Sequence, residues 1–244
     1  MFKKISFSVA TLALAATFNV ANAADCSAVP TFTQLQTALK SAQSQSNGGF
    51  GLNMWGTIVN RAGEVCAIAR TGAEVGDQWP GSRVISAQKA NTANSFSLPG
   101  LALSTANLYS AVQPGGSLFG LQESNPVNTS VAYGGTTFNF GTAKDPLVSK
   151  RIGGVNVFGG GLALYNTAGK LVGAIGVSGD SSCADHNIAW RTRHLLVMDK
   201  IPGGVAADKT DNIIFDIVDG KSAGGFGHPT CNENSVSAND AAIK

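Results

Sequence analysis

Between Gly176 and Trp190 the sequence GVSGDSSCADHNIAW places Ser178, Asp180, Cys183, Asp185 and His186 within a few residues of one another. A serine between glycines suggests a nucleophile on a sharp turn, and carboxylates beside a histidine suggest proton transfer or metal ligation. The spacing restricts those readings. Gly176-Val177-Ser178-Gly179 is G-x-S-G, one spacer short of the G-x-S-x-G nucleophile elbow. No phosphate-cradling G-x-x-x-x-G-K-[ST] follows it. Ser86-Ala87-Gln88-Lys89 spells S-x-x-K, but the S-D-N and K-T-G that complete that catalytic set are absent. For a metal, H-E-x-x-H is missing. His186 and His194 are eight positions apart, about 80° around a helix, and so lie on different stripes. His228, in GFGHPTC, can approach only if Cys231 folds the tail back.

The same stretch also reads as a scaffold corner. Leu171 to Val177 has the composition of a buried strand, and Gly176 and Gly179 permit a sharp exit from it. Asp180, Ser181, Ser182 or Asp185 can cap the helix that follows, from about Asp185 to Met198. A strand-to-helix exit is also a place where bare backbone N–H groups receive an anionic ligand. The corner is therefore expected to be a scaffold joint first and a binding rim second.

The elements that position it follow from periodicity. TFTQLQTALKSAQSQS (31–46) sets Phe32, Leu35, Leu39 and Ala42 on one face behind a threonine cap, an amphipathic helix. GGFGLNMWGTIVN (48–60) and EVCAIAR (64–70) flank Arg61-Ala62-Gly63, and GGVNVFGGGLALYN (153–166) and KLVGAIGVSG (170–179) flank Thr167-Ala168-Gly169. Both read as hairpins with glycine at the turn. SRVISAQKANTANSFSL (82–98) reads as a helix with a serine cap, LALSTANLYSAV (101–112) as a third helix and NIIFDIV (212–218) as a strand. Residues 117–151 have no sustained period and read as an ordered loop or flap, and the polar C-terminus is expected to fray. The order helix, hairpin, helix, hairpin, helix implies an α/β (α+β) fold, with helices packed on a mainly antiparallel sheet.

The first residues read as a leader. Lys3 and Lys4, an apolar run and Ala21-Asn22-Ala23 form a secretory signal peptide with cleavage after Ala23. The expected location is periplasmic or secreted, with no membrane attachment once the leader is gone. Removing the two lysines leaves fifteen basic and fifteen acidic residues, so the mature chain is about neutral. Without a basic stripe, nucleic-acid binding has no electrostatic support. Cys26, Cys66, Cys183 and Cys231 are an even set with no C-x-x-C. In an exported chain they read as two disulfides. Of the three pairings, Cys26–Cys66 with Cys183–Cys231 is favoured because each bond then pins a tail to the core. The expected organisation is a leader at 1–23, one domain at 24–199 with an insert at about 99–152, and a C-terminal extension at 200–244.

Three blocks together resemble the GlcG/HbpS-like family of haem-associated proteins. They are IVNRAGEVCAIARTGA (58–73), SRVISAQKANTA (82–93), and GGV (153–155) leading to GKLVGAIGVSGDSSCADHNIA (169–189). Arg70-Thr71-Gly72-Ala73 departs from the family's R-M-D-G-A by lacking the aspartate. The resemblance implies a profilin-like three-layer fold with a five-stranded antiparallel sheet, assembly into homo-oligomers, and binding of haem or a related tetrapyrrole, with haem breakdown in some members. It assigns the ligand to the surroundings of Lys89, Thr92, Gly153, Gly154, Gly176, Ser178, Gly179, Asp180 and His186.

Haem requires an axial donor, an apolar slot and cations for its propionates. His186 is the first candidate donor, ahead of His228, with the phenols of Tyr109 and Tyr133 as oxygen alternatives. Lys89 and Arg83 are the candidate cations, and Trp55, Phe96, Phe119 and Trp190 the candidate slot. No C-x-x-C-H is present for covalent attachment. Two other readings compete. One is a small-molecule enzyme with Lys89 or Asp180 as acid/base and the insert as a lid. The other is a structural homo-oligomeric module.

Overall fold

The computed structural model describes residues 25–242; the leader expected at 1–23 lies outside them. The first helix, α1 (Phe32–Gln43), starts at a Thr31 cap that exchanges hydrogen bonds with Gln34. Then come β1 (Trp55–Asn60), β2 (Val65–Arg70) and α2 (Ser82–Phe96). The insert carries two single-turn helices, α3 (Leu121–Ser124) and α4 (Thr129–Ala132). Next are β3 (Gly161–Tyr165), β4 (Leu171–Ser178) and α5 (Ser182–Leu195). The extension holds a minimal ladder, β5 (Ile217–Val218) with β6 (Lys221–Ser222), and a last helix, α6 (Ser235–Ala242).

Both expected hairpins form, and their strands join through β1 and β4 into an antiparallel sheet of order β2-β1-β4-β3. Period-two alternation then builds three layers. Trp55 and Val59 of β1 and Ala174 of β4 face Val84, Ala87, Ala90 and Ala93 of α2. Ile58, Ile175 and Val177 face Leu35 and Leu39 of α1 and Ile188 and Ala189 of α5. The approach of α2 is close enough that a Cβ on Gly176 would lie 2.0 Å from the Ser86 carbonyl. Only glycine fits there.

Several expectations are corrected. The sheet has four strands rather than five. The outer edge of β3 meets residues 198–200 through one isolated bridge, Tyr165 to Asp199, so no fifth strand is laid down. Gly81 occupies the N-cap of α2 without a side-chain bond, and Ser82 is already helical. Helix α5 begins at Ser182, three residues early, because the Ser181 hydroxyl accepts from Ala184 N–H. Residues 101–112 form two 3-10 turns instead of a helix, with Ser104 and Asn107 side chains taking the backbone bonds that helix would use. In 212–218 only Ile217 and Val218 are strand. Asn212 and Ile213 are buried instead, with Asn212 bonded to His186. The C-terminal residues that looked ready to fray form α6, with Ser235, Ala238 and Asn239 buried.

Candidate functional site

Strand β4 ends at Ser178, which is buried, and Gly179 turns the chain at a φ of 151°. The Asp180 carboxylate then accepts from Phe50 N–H (2.9 Å) and Leu52 N–H (3.1 Å), fastening the loop after α1 to the corner. One turn into α5, Asp185 is shared: Oδ1 accepts from Asp180 N–H at 2.9 Å and Oδ2 receives Lys89 Nζ at 2.7 Å. Lys89 reaches there from α2 and also donates to the Val177 carbonyl at 3.1 Å. Both ionic groups are buried. Burial pushes the Lys89 ammonium below its ordinary range and raises Asp185 to about 6, while their mutual attraction opposes both shifts. The pair ties the two helical layers together at the end of the sheet.

The other expected site residues divide between the layers. Thr92 Oγ1 donates to Gln88 O and accepts from Asn156 N–H, beside a turn in which Gly153 and Gly154 have φ of 65° and 79°. Asn91 bonds the Gly154 carbonyl. Thr92, Gly153 and Gly154 therefore meet on the α2 side, with Gly176 under the helix. His186 lies on α5, fully buried beneath the extension. With Nε2–H donating to Asn212 Oδ1 at 3.1 Å, Ile213 N–H is satisfied by the same oxygen at 2.8 Å, and Nδ1 is left as an unpartnered buried acceptor. Burial lowers the imidazole to about 3.

The cations and aromatics expected for haem are dispersed. Arg83 is bonded to Asp145 and stacks 3.6 Å over Phe140. Trp55, Phe96 and Trp190 belong to three separate clusters, and Phe119 is exposed. A cleft of about 680 Å³ opens at the corner, lined by Asn47, Gly49, Phe50, Asp180, Arg191 and Ser237. The Arg191 guanidinium in it already serves Ser46 O and Asn47 Oδ1, and no histidine lines it.

Two arrangements escaped the sequence reading. Cys183–Cys231 does fold the tail back, and it brings His228 to Ser182, 46 positions away in sequence, at 2.7 Å. The Ser182 hydroxyl donates to Nε2, Nδ1–H donates to Pro229 O at 2.7 Å, and Tyr109 lies 4.9 Å from the ring. Burial lowers this histidine to about 4, too weak a base to activate a serine at neutral pH. The second arrangement is at the end of α5. The exposed His194 bonds Asp199 Oδ2 through Nδ1 at 2.7 Å, in a cleft of about 270 Å³ that also holds Trp190, Arg193, Ile201 and Thr210. The H-x-x-x-x-D spacing of His194 and Asp199 was the available signal.

Among the described residues no helix is long and apolar enough to cross a membrane. No curated protein matches the chain. Three solved structures are similar to it. A PduOC:haem complex is 23% identical, covering 69% of this chain and 94% of its own, with a TM-score of 0.48. Protein ORFY of Klebsiella pneumoniae is 24% identical, covering 80% and 97%, with a TM-score of 0.46. HbpS is 18% identical, covering 67% and 85%, with a TM-score of 0.43. The model of the family described as haem degrading protein HbpS-like matches residues 31–193, from the cap of α1 to the last turn of α5, and the chain belongs to that family.

Proposed function

We propose that the chain binds haem or a related tetrapyrrole, with His194 as the axial donor. Family membership supports the ligand class. The observation that carries the choice of donor is the state of the three histidines. His186 is enclosed and His228 uses both ring nitrogens. His194 is held by Asp199 through Nδ1, leaving Nε2 at the surface with no partner among the described residues. A carboxylate on one ring nitrogen is the usual way of orienting a metal-ligating histidine. Trp190 and Ile201 would cover part of the ring from the same cleft. When bound, the group would supply a redox-active iron. Lys89, Thr92, Gly153, Gly154, Gly176 and Asp180 act in this reading as the frame. Export is part of the proposal, and two disulfides favour an oxidising compartment.

The test is titration of the mature chain with haemin, followed in the Soret band. Saturable one-to-one binding, lost in His194→Ala and kept in His186→Gln, is expected. No saturable shift in the unaltered chain overturns the ligand. A shift abolished by His186→Gln but not by His194→Ala overturns the donor.

A further inference from the structure

The start of α5 holds a second group of ligating atoms that haem binding at His194 does not use. Sγ of Cys183, Sγ of Cys231 and a ring nitrogen of His228 lie within 4.8 Å of one another. In the structure the two sulfurs are bonded to each other. Cys183 is buried in the first turn of α5, whereas Cys231 is exposed, so the bond can be attacked from solvent. Cys183 N–H points at Cys231 Sγ, 3.1 Å away, an amide at a helix start that favours negative charge on that sulfur. His228 is oriented in advance. Pro229 O takes the Nδ1 proton and Tyr109 packs against the ring, so Nε2 presents its lone pair and meets only the Ser182 hydroxyl.

We propose that reduction of Cys183–Cys231 converts this corner into a site for one thiophilic divalent cation of the zinc class, held by two thiolates and His228 Nε2. A dithiol supplies the electrons. The protein S–S bond breaks, its sulfurs take up two electrons and two protons, and the dithiol is oxidised to its own disulfide. The cation then displaces both thiol protons to solvent and takes the place of the Ser182 hydroxyl at Nε2. Two sulfurs and one imidazole suit a tetrahedral borderline-soft ion, with the fourth position open to water. Exchange with a small-molecule disulfide reverses the step: it takes the two electrons and, with two protons from solvent, becomes a dithiol, the protein S–S bond re-forms and the ion is released, so occupancy reports the redox state of the tail.

Cobalt(II) is the probe, added to the mature chain after reduction and anaerobic removal of the reductant. The reduced chain is expected to bind one Co2+ with thiolate-to-metal charge-transfer absorption that Zn2+ displaces, and the oxidised chain to show none. Cys183→Ser/Cys231→Ser, which keeps Cys26 and Cys66, should lose the absorption. His228→Ala should keep the band but bind more weakly by on the order of tenfold or more. Equal binding by oxidised and reduced chains, or a band that survives the double serine variant, overturns the site. Unchanged affinity in His228→Ala overturns the role of the imidazole. Circular dichroism follows the fold throughout. If reduction unfolds the tail, its recovery on adding Zn2+ to the unaltered chain but not to His228→Ala supports the proposal, and no recovery overturns it.

Discussion

The later part of the insert, residues 126–152, and the C-terminal extension cover opposite helical layers by different means, whereas the first part, around Ala106, Asn107 and Ser110, joins the extension. The insert packs Ala132, Leu147 and Ile152 onto α2, and Arg83 reaches out of that helix to Asp145 and the Ala132 carbonyl. The extension lies over α5, where Arg193 makes two bonds to Asp211, at 2.7 and 2.8 Å. Each cover is thus anchored by a buried arginine–aspartate pair. The insert adds apolar packing. The extension adds a disulfide and a polar network in which Asn239 bonds Asn187 and Asn212. One cover is built as core, the other as a strap fastened by a covalent bond and amides. All three histidines of the chain lie on the side of the strap.

The largest effect is expected from removing the aspartates, which strands a buried guanidinium. Asp211→Ala should cost about 3–5 kcal/mol in denaturant unfolding. Asp145→Ala should cost more, because Asp145 also accepts from Gly141 N–H and Leu147 N–H. The reverse order would break the view of the insert as core. Next comes Cys183→Ala/Cys231→Ala, expected to cost about 2–4 kcal/mol. Hydrogen exchange should quicken across 200–242 and in the 101–112 segment bonded to it, and leave 126–152 protected. Equal loosening of both would show that the covers unfold as one unit.

The smallest effect is that of pH, and it is expected on the strap side. His186 is held well below its ordinary value by burial, and Arg193 and His228 add to the shift while Asp211 and Asn212 oppose it. The unfolded chain takes up this proton below about pH 6.5 and the folded chain only near 3. His186 therefore contributes a loss of stability as pH falls through that window. His228, lowered to about 4 by burial, acts in the same sense as His186; Asp185, raised to about 6, acts in the opposite sense between its unfolded value and 6 and cancels only part of that loss. Melting temperatures from pH 7 to 5 should fall less steeply in His186→Gln than in the unaltered chain. Parallel slopes would remove His186 from that account.

The comparison also separates what the sequence disclosed from what it concealed. Asn60-Arg61-Ala62-Gly63 and Asn166-Thr167-Ala168-Gly169 announce two hairpins because a turn is local chemistry. Gly63 and Gly169 take φ of 74° and 72°, and Asn60 and Asn166 cap the turns with their side chains. The Cys26–Cys66 and Cys183–Cys231 pairing was also legible, since each bond returns a terminal segment to the nearest core element. The count of strands was not. A fifth strand needs a ladder, and at β3 the neighbouring chain supplies one bridge before turning away.

The candidate site was harder to read than the fold. Lys89 carries no local mark of its partner, because Asp185 is 96 positions away and the two meet only when α2 and α5 close on the end of one sheet. His186 stood first among the candidate donors, and the extension then covered it. His194 lay on a different stripe from His186 and outside the candidate donors, and the turn after α5 brought Asp199 to its ring. By itself the sequence determined the hairpins, the main helix periods and the family, which rest on neighbours in the chain or on composition, and it favoured one disulfide pairing among three. Tertiary structure alone decided which charges are paired, which imidazole keeps a free nitrogen and which sulfurs stand beside a histidine. Those depend on burial and on contacts between residues tens of positions apart, and burial sets the cost of leaving a charge or a lone pair without a partner.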